Sequence, residues 1–131
     1  MNRLAHRLVC LAASLPLGAA IAADFDGSKP LMCAPSEAVE VRPGGELVKE
    51  RPSDIGAPSF LRVDIANRTI TGPRRVTPIK FMEKDDKQIL LQGTELGFGW
   101  TLALDQRVGE MSLTFVDRSG AVVLTGMCTP V

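Results

Sequence analysis

From Phe60 onward, apolar and polar residues alternate with a period of two. Leu61, Val63 and Ile65 interleave with Arg62, Asp64 and Ala66, the pattern of a strand with one buried face. Asn67-Arg68 turns the chain into Thr69-Ile70-Thr71, and Gly72-Pro73 stops that strand. A further strand is predicted over Ile79–Met82. The charged run Glu83–Lys87 then makes a solvated hairpin turn into Gln88–Gln92. In the last third, Phe98, Trp100, Leu102 and Leu104 share one face, with Gly99, Thr101 and Ala103 on the other. Asp105–Gly109 suits a type I turn closed by a glycine bulge. Met111, Leu113 and Phe115 continue the apolar face. Asp117–Gly120 repeats the turn chemistry, and a last strand over Ala121–Met127 ends at Cys128.

The first half is less regular. Asp24–Pro30 is polar and turn-rich, and reads as a loose lead-in. Short strands are predicted over Leu31–Ala34 and Ala38–Arg42. Between Pro43 and Ser59 the chain holds Pro43, Pro52, Pro58, Gly44, Gly45 and Gly56, which predicts a long irregular loop with a helical turn near Pro52–Ile55. No helical period of useful length follows. The expectation is an all-β domain, an antiparallel meander of about 7–9 short strands that curls into a small barrel or sandwich to hide its edges. Its expected core is Leu61, Val63, Ile65, Trp100, Leu102, Leu104, Met111, Leu113, Phe115 and Leu124.

The first residues carry a different signal. Arg3 and Arg7 precede an apolar stretch from Leu8 to Ile21, followed by Ala20-Ile21-Ala22. That is the layout of a secretory leader over residues 1–22. Pro16 and Gly18 interrupt the stretch, and it is too short for a membrane span. Cleavage leaves one small domain of about 109 residues, 23–131, in the periplasm or outside the cell, with no membrane span. It also removes His6, the only histidine, from a chain without tyrosine. Net charge moves from zero to −2 as 13 basic residues face 15 acidic ones. No basic face suggests nucleic-acid binding; Arg74-Arg75 reads as a solvated turn. A monomer is expected. Cys33 and Cys128 are the two cysteines left, and in an exported domain they are expected to pair. The alternative, a free thiol pair or a zinc site completed by carboxylates, is much rarer.

Candidate chemistry is sparse. Gly93–Trp100 is glycine-rich, but a strand rather than a helix follows and no P-loop lysine is present, so it reads as a turn feeding a strand. Asp24–Ser28 begins like a calcium loop without its later ligands. Asn67-Arg68-Thr69 matches a glycosylation acceptor. No metal or cofactor is expected. A histidine-free envelope hydrolase would need two of Glu37, Glu40, Glu46 and Glu50 to converge. The reading favoured is a non-enzymatic domain that binds a protein or cell-envelope component. Its expected contacts are the Pro43–Ser59 loop, with Pro43, Gly44, Gly45, Arg51 and Asp54, and the Gly93–Gly99 turn, with Glu95 and Phe98. A carrier of a small apolar ligand in the barrel interior is the alternative.

The segments Phe25–Pro35, Leu91–Glu95 with Gly99-Trp100, Gly109–Met111 and Gly126–Pro130 together resemble a family of small, exported, uncharacterised proteobacterial proteins. The resemblance implies export and carries no activity. It also implies that many relatives hold a second cysteine pair at the positions of Val41 and Leu47, which would leave the Pro43-Gly44-Gly45 loop freer here. A looser, fold-level likeness is to the periplasmic inhibitors of c-type lysozyme, small exported β-barrels whose inhibitory motif has no residue-by-residue match in this chain.

Overall fold

The computed structural model describes residues 24–131. The expected leader over residues 1–22 and its expected cleavage site lie outside them. Ten strands run in chain order: β1 (Leu31–Val41), β2 (Leu47–Glu50), β3 (Leu61–Asp64), β4 (Thr69–Thr71), β5 (Val76–Pro78), β6 (Phe81–Lys84), β7 (Gln88–Glu95), β8 (Phe98–Asp105), β9 (Glu110–Asp117) and β10 (Gly120–Pro130). They form one antiparallel sheet, curled into a half-barrel, in the order β5-β4-β3-β1-β10-β9-β8-β7-β6, with β2 on β1.

The second half is the expected meander. The first half departs from it on one edge, where β1 pairs with β3; on its other edge β1 pairs with β10, the meeting of first and last strands that a Cys33–Cys128 bond implies. Cys33 and Cys128 are register partners in that ladder and form a disulfide. The Cys128 N–H donates to the Gly109 carbonyl, away from β1. The cysteines therefore face each other as a non-hydrogen-bonded pair, where opposed side chains come closest.

Several local expectations are corrected. The two strands predicted around Leu31–Arg42 are one, bent by a bulge between Pro35 and Glu37. The region from Pro43 to Ser59 is not a single irregular loop. It holds β2, paired from Ala38↔Glu50 to Val41↔Leu47, then the expected turn as a 3-10 turn over Pro52–Ile55. β2 has one buried neighbour and no strict alternation, so period-two reading passes over it. β5 was missed because a three-residue strand ending in proline carries almost no pattern. Glu83 and Lys84 belong to β6, and the charged turn shrinks to Asp85–Lys87. The last strand runs past Cys128 to Pro130.

The lead-in is also less loose than its composition suggests. The Asp26 carboxylate accepts from the Ser28 N–H at 2.9 Å, and the Lys84 ammonium donates to the Asp26 carbonyl at 2.5 Å. Phe25 packs on the core. Its ring fills the space beside Gly109, where an added Cβ would collide with it.

Nine of the ten expected core residues are buried, and Phe115 is half-buried against them. The core also contains Leu31, Ala38, Ile70, Ile79, Ile89 and Leu91. Leu31, Ile89, Leu91, Leu102 and Leu124 are completely inaccessible, so no solvent-sized space adjoins them.

The two ends of the sheet order, β5 and β6, are consecutive in the chain. The Ile79 N–H donates to the Arg68 carbonyl beside β4, and the next N–H, of Lys80, donates to Gln92 on β7, both at 2.9 Å. Farther up this seam, side chains do the bridging. The Glu95 carboxylate accepts from Arg75 at 2.8 Å and from the Thr77 hydroxyl, and the Lys80 ammonium donates to the Thr94 hydroxyl.

Candidate functional site

The ladder registers place Val41, Ala121, Val116, Gly99 and Thr94 in one row across β1, β10, β9, β8 and β7. The β1–β2 tip at Pro43-Gly44-Gly45 and the β7–β8 tip therefore leave the sheet at the same end. Three strand spacings separate β1 from β8 along the row, about 14 Å. The two regions read as candidate contact surfaces belong to one rim.

The rim is built differently from its sequence expectation. β7 runs straight through Gly93 to Glu95, so the second tip is only Leu96-Gly97. Both residues are left-handed, with φ 45° and 87°, as a two-residue hairpin turn with primed geometry requires. Asn or Gly is the usual occupant of the first position. Here it is Leu96, with 76% of its surface exposed, and composition alone did not single it out.

Of the residues expected to make contacts, Glu95 and Phe98 serve the frame. Glu95 ties β7 to β5, and the Thr77 hydroxyl and then the Arg75 guanidinium hold its carboxyl below the ordinary range. Phe98 lies on the inner face and meets Phe115 edge to face, ring centroids 5.2 Å apart. Arg51 and Asp54 clasp each other through two bonds of 3.0 Å across the 3-10 turn. That hydrogen bonding lowers the Asp54 carboxyl. Pro43, Gly44 and Gly45 remain exposed at their tip.

The carboxylates weighed for hydrolysis do gather. Glu40, Glu46 and Glu50 all lie around the Arg42 guanidinium, at 3.4, 3.8 and 3.6 Å. Glu37 pairs instead with Lys49 on β2. One guanidinium shared by three carboxylates makes an ion-pair network at the base of the β1–β2 hairpin. Val41 and Leu47 are direct register partners beneath the Pro43-Gly44-Gly45 tip.

Two hollows mark the outer face. One, of about 500 Å³, crosses β8 to β10 over Ala103, Ser112 and Thr125, bordered by Lys87, Asp105 and Glu110. The Arg107 side chain and then its backbone N–H hold the Asp105 carboxyl down at about 2. The other, about 280 Å³, lies over β6 to β9 around Gly99. Among the described residues no cluster of three or more His, Cys, Asp or Glu side chains is placed to hold a metal, and no helix is long and apolar enough to cross a membrane. A disulfide and the lack of such a helix are compatible with an exported protein.

The chain matches no family model, no curated protein and no solved structure.

Proposed function

We propose that this protein is a non-catalytic, exported β-barrel domain that binds a protein or cell-envelope component through the rim formed by Pro43-Gly44-Gly45 and Leu96-Gly97. The observation that carries the proposal is Leu96, a large apolar side chain held in left-handed backbone at the most exposed point of a hairpin. An L-residue there costs roughly 1–2 kcal/mol, and with 76% of its surface exposed, burial in the fold offsets little of it. Strain retained at an exposed position is a reason to look for a contact.

The barrel reading rests on the seam. A continuous Val76–Lys84 segment pairs with β4 along its first part and with β7 along its second. An inaccessible interior favours a surface site over an apolar ligand held inside.

The test is a crosslinking pull-down from envelope extract. The oxidised protein is compared with a Leu96→Asn variant and with one in which Pro43-Gly44-Gly45 is replaced by Asn-Gly. One protein or envelope component enriched by the parent and lost in both variants is the expected result. Enrichment that survives both changes would sink the rim assignment.

A further inference from the structure

The smaller outer hollow has a chemistry of its own. Ladder register sets Phe81, Gln92, Thr101 and Thr114 side by side across β6, β7, β8 and β9. The next row toward the rim is Thr94, Gly99 and Val116. Gly99 makes the depression: a Cβ there would meet only Val116, at 3.8 Å. On one side stands Phe81, with 68% of its surface in solvent, and on the other Val116, 52% exposed. Gln92 Nε2 donates to the Thr101 hydroxyl at 3.3 Å, and the Lys80 ammonium reaches the Thr94 hydroxyl at the upper end. Among the described residues, Lys80 is the only charged one lining the hollow.

We infer that this hollow is a binding site for an acidic saccharide, one sugar ring lying against Phe81 with its carboxylate toward Lys80. A sugar ring has an apolar C–H face and a polar edge. The first matches an exposed aromatic ring. The second matches three threonine hydroxyls and an amide, each able both to donate and to accept. An ammonium free of acidic neighbours in the hollow complements a carboxylate through a charge-assisted bond. The volume, about 280 Å³, lies at the lower bound of small-molecule sites, roughly 300 Å³, which suits one ring rather than a large ligand.

The test titrates the oxidised protein with two probes, using calorimetry and backbone amide NMR. One probe is a tetrasaccharide alternating glucuronic acid with N-acetylglucosamine, and the other is neutral cellotetraose. Saturable binding of the acidic probe is expected, with shifts confined to residues 80–82, 92–94, 99–101 and 114–116. Phe81→Ala and Gly99→Val should each weaken it at least tenfold. Lys80→Met should bring the acidic probe down to the neutral one. Phe81 and Lys80 are exposed, so unchanged amide spectra elsewhere verify that these variants fold; Gly99→Val is read only if it passes the same check. The assignment is overturned by no saturable binding of the acidic probe, by shifts that map elsewhere, by equal affinity for both probes, or by affinity indifferent to Phe81→Ala.

Discussion

Gly93 stands directly opposite Trp100 in the β7–β8 ladder, and the indole occupies the space a side chain at 93 would need. A Cβ on Gly93 would lie 2.5 Å from Cζ2 of the ring. The glycine that looked like part of a turn is a mid-strand vacancy filled by its cross-strand neighbour. Gly93→Ala should therefore destabilise the protein by about 1–3 kcal/mol, as overpacking does. Because Trp100 is the sole tryptophan, its fluorescence should report both the shifted denaturation midpoint and a perturbed native spectrum. An unchanged midpoint would mean that the indole is not wedged there.

The disulfide closes a sequence separation of 95 residues. For a loop of that order the chain-entropy estimate is about 4–5 kcal/mol. Replacing Cys33 and Cys128 together by Ala should lower the thermal midpoint by roughly 15–30 °C, if the domain stays folded at all. Both sulfurs are buried, so reductant should act on the native protein only as fast as the β1–β10 ladder opens. Rapid reduction without loss of structure would contradict this burial.

Acid should loosen the β5–β7 seam. Glu95 is held below its ordinary value of 4.5 by Thr77 and Arg75. A carboxyl lowered on folding stabilises the fold above its unfolded value, and the contribution is lost as pH falls through the lowered folded one. Stability should thus decline below about pH 4.5. Glu95→Gln should flatten that part of the profile while leaving the lower limb, where Asp105 titrates near 2. Denaturation midpoints measured from pH 6 down to pH 2 would show it. Identical profiles for parent and variant would remove Glu95 from the seam's acid response.

Leu96→Asn places Asn-Gly in a turn that needs two left-handed residues. The variant should gain about 0.5–1 kcal/mol, since the hairpin is relieved and no core contact is lost. A gain in stability together with loss of the captured partner would be the signature of strain kept for contact. A loss of stability would show that Leu96 packs against something at the rim.

Much of this architecture was legible in the chain itself. Period-two alternation from Phe60 onward, punctuated by the Asp105–Gly109 and Asp117–Gly120 turns, specified β7 to β10 and most of the core, because each of those strands pairs with its chain neighbour and buries one face. Composition and the two remaining cysteines pointed to one disulfide-tied β domain. Beyond the β1–β10 meeting implied by Cys33 and Cys128, what the sequence could not decide is pairing across distance. Pairing β3 with the other edge of β1, docking β2 on β1 and bending Val76–Lys84 to serve two neighbours depend on which edges meet, and a strand's pattern encodes its faces, not its partners. The same reason explains the candidate site. Residues 43–45 and 96–97 lie about fifty positions apart and share a rim only because registers across β1, β10, β9 and β8 align them. Glu95 and Phe98, sited in a suggestive turn, were drawn into the frame by β5 and β9, neighbours that only the folded sheet supplies.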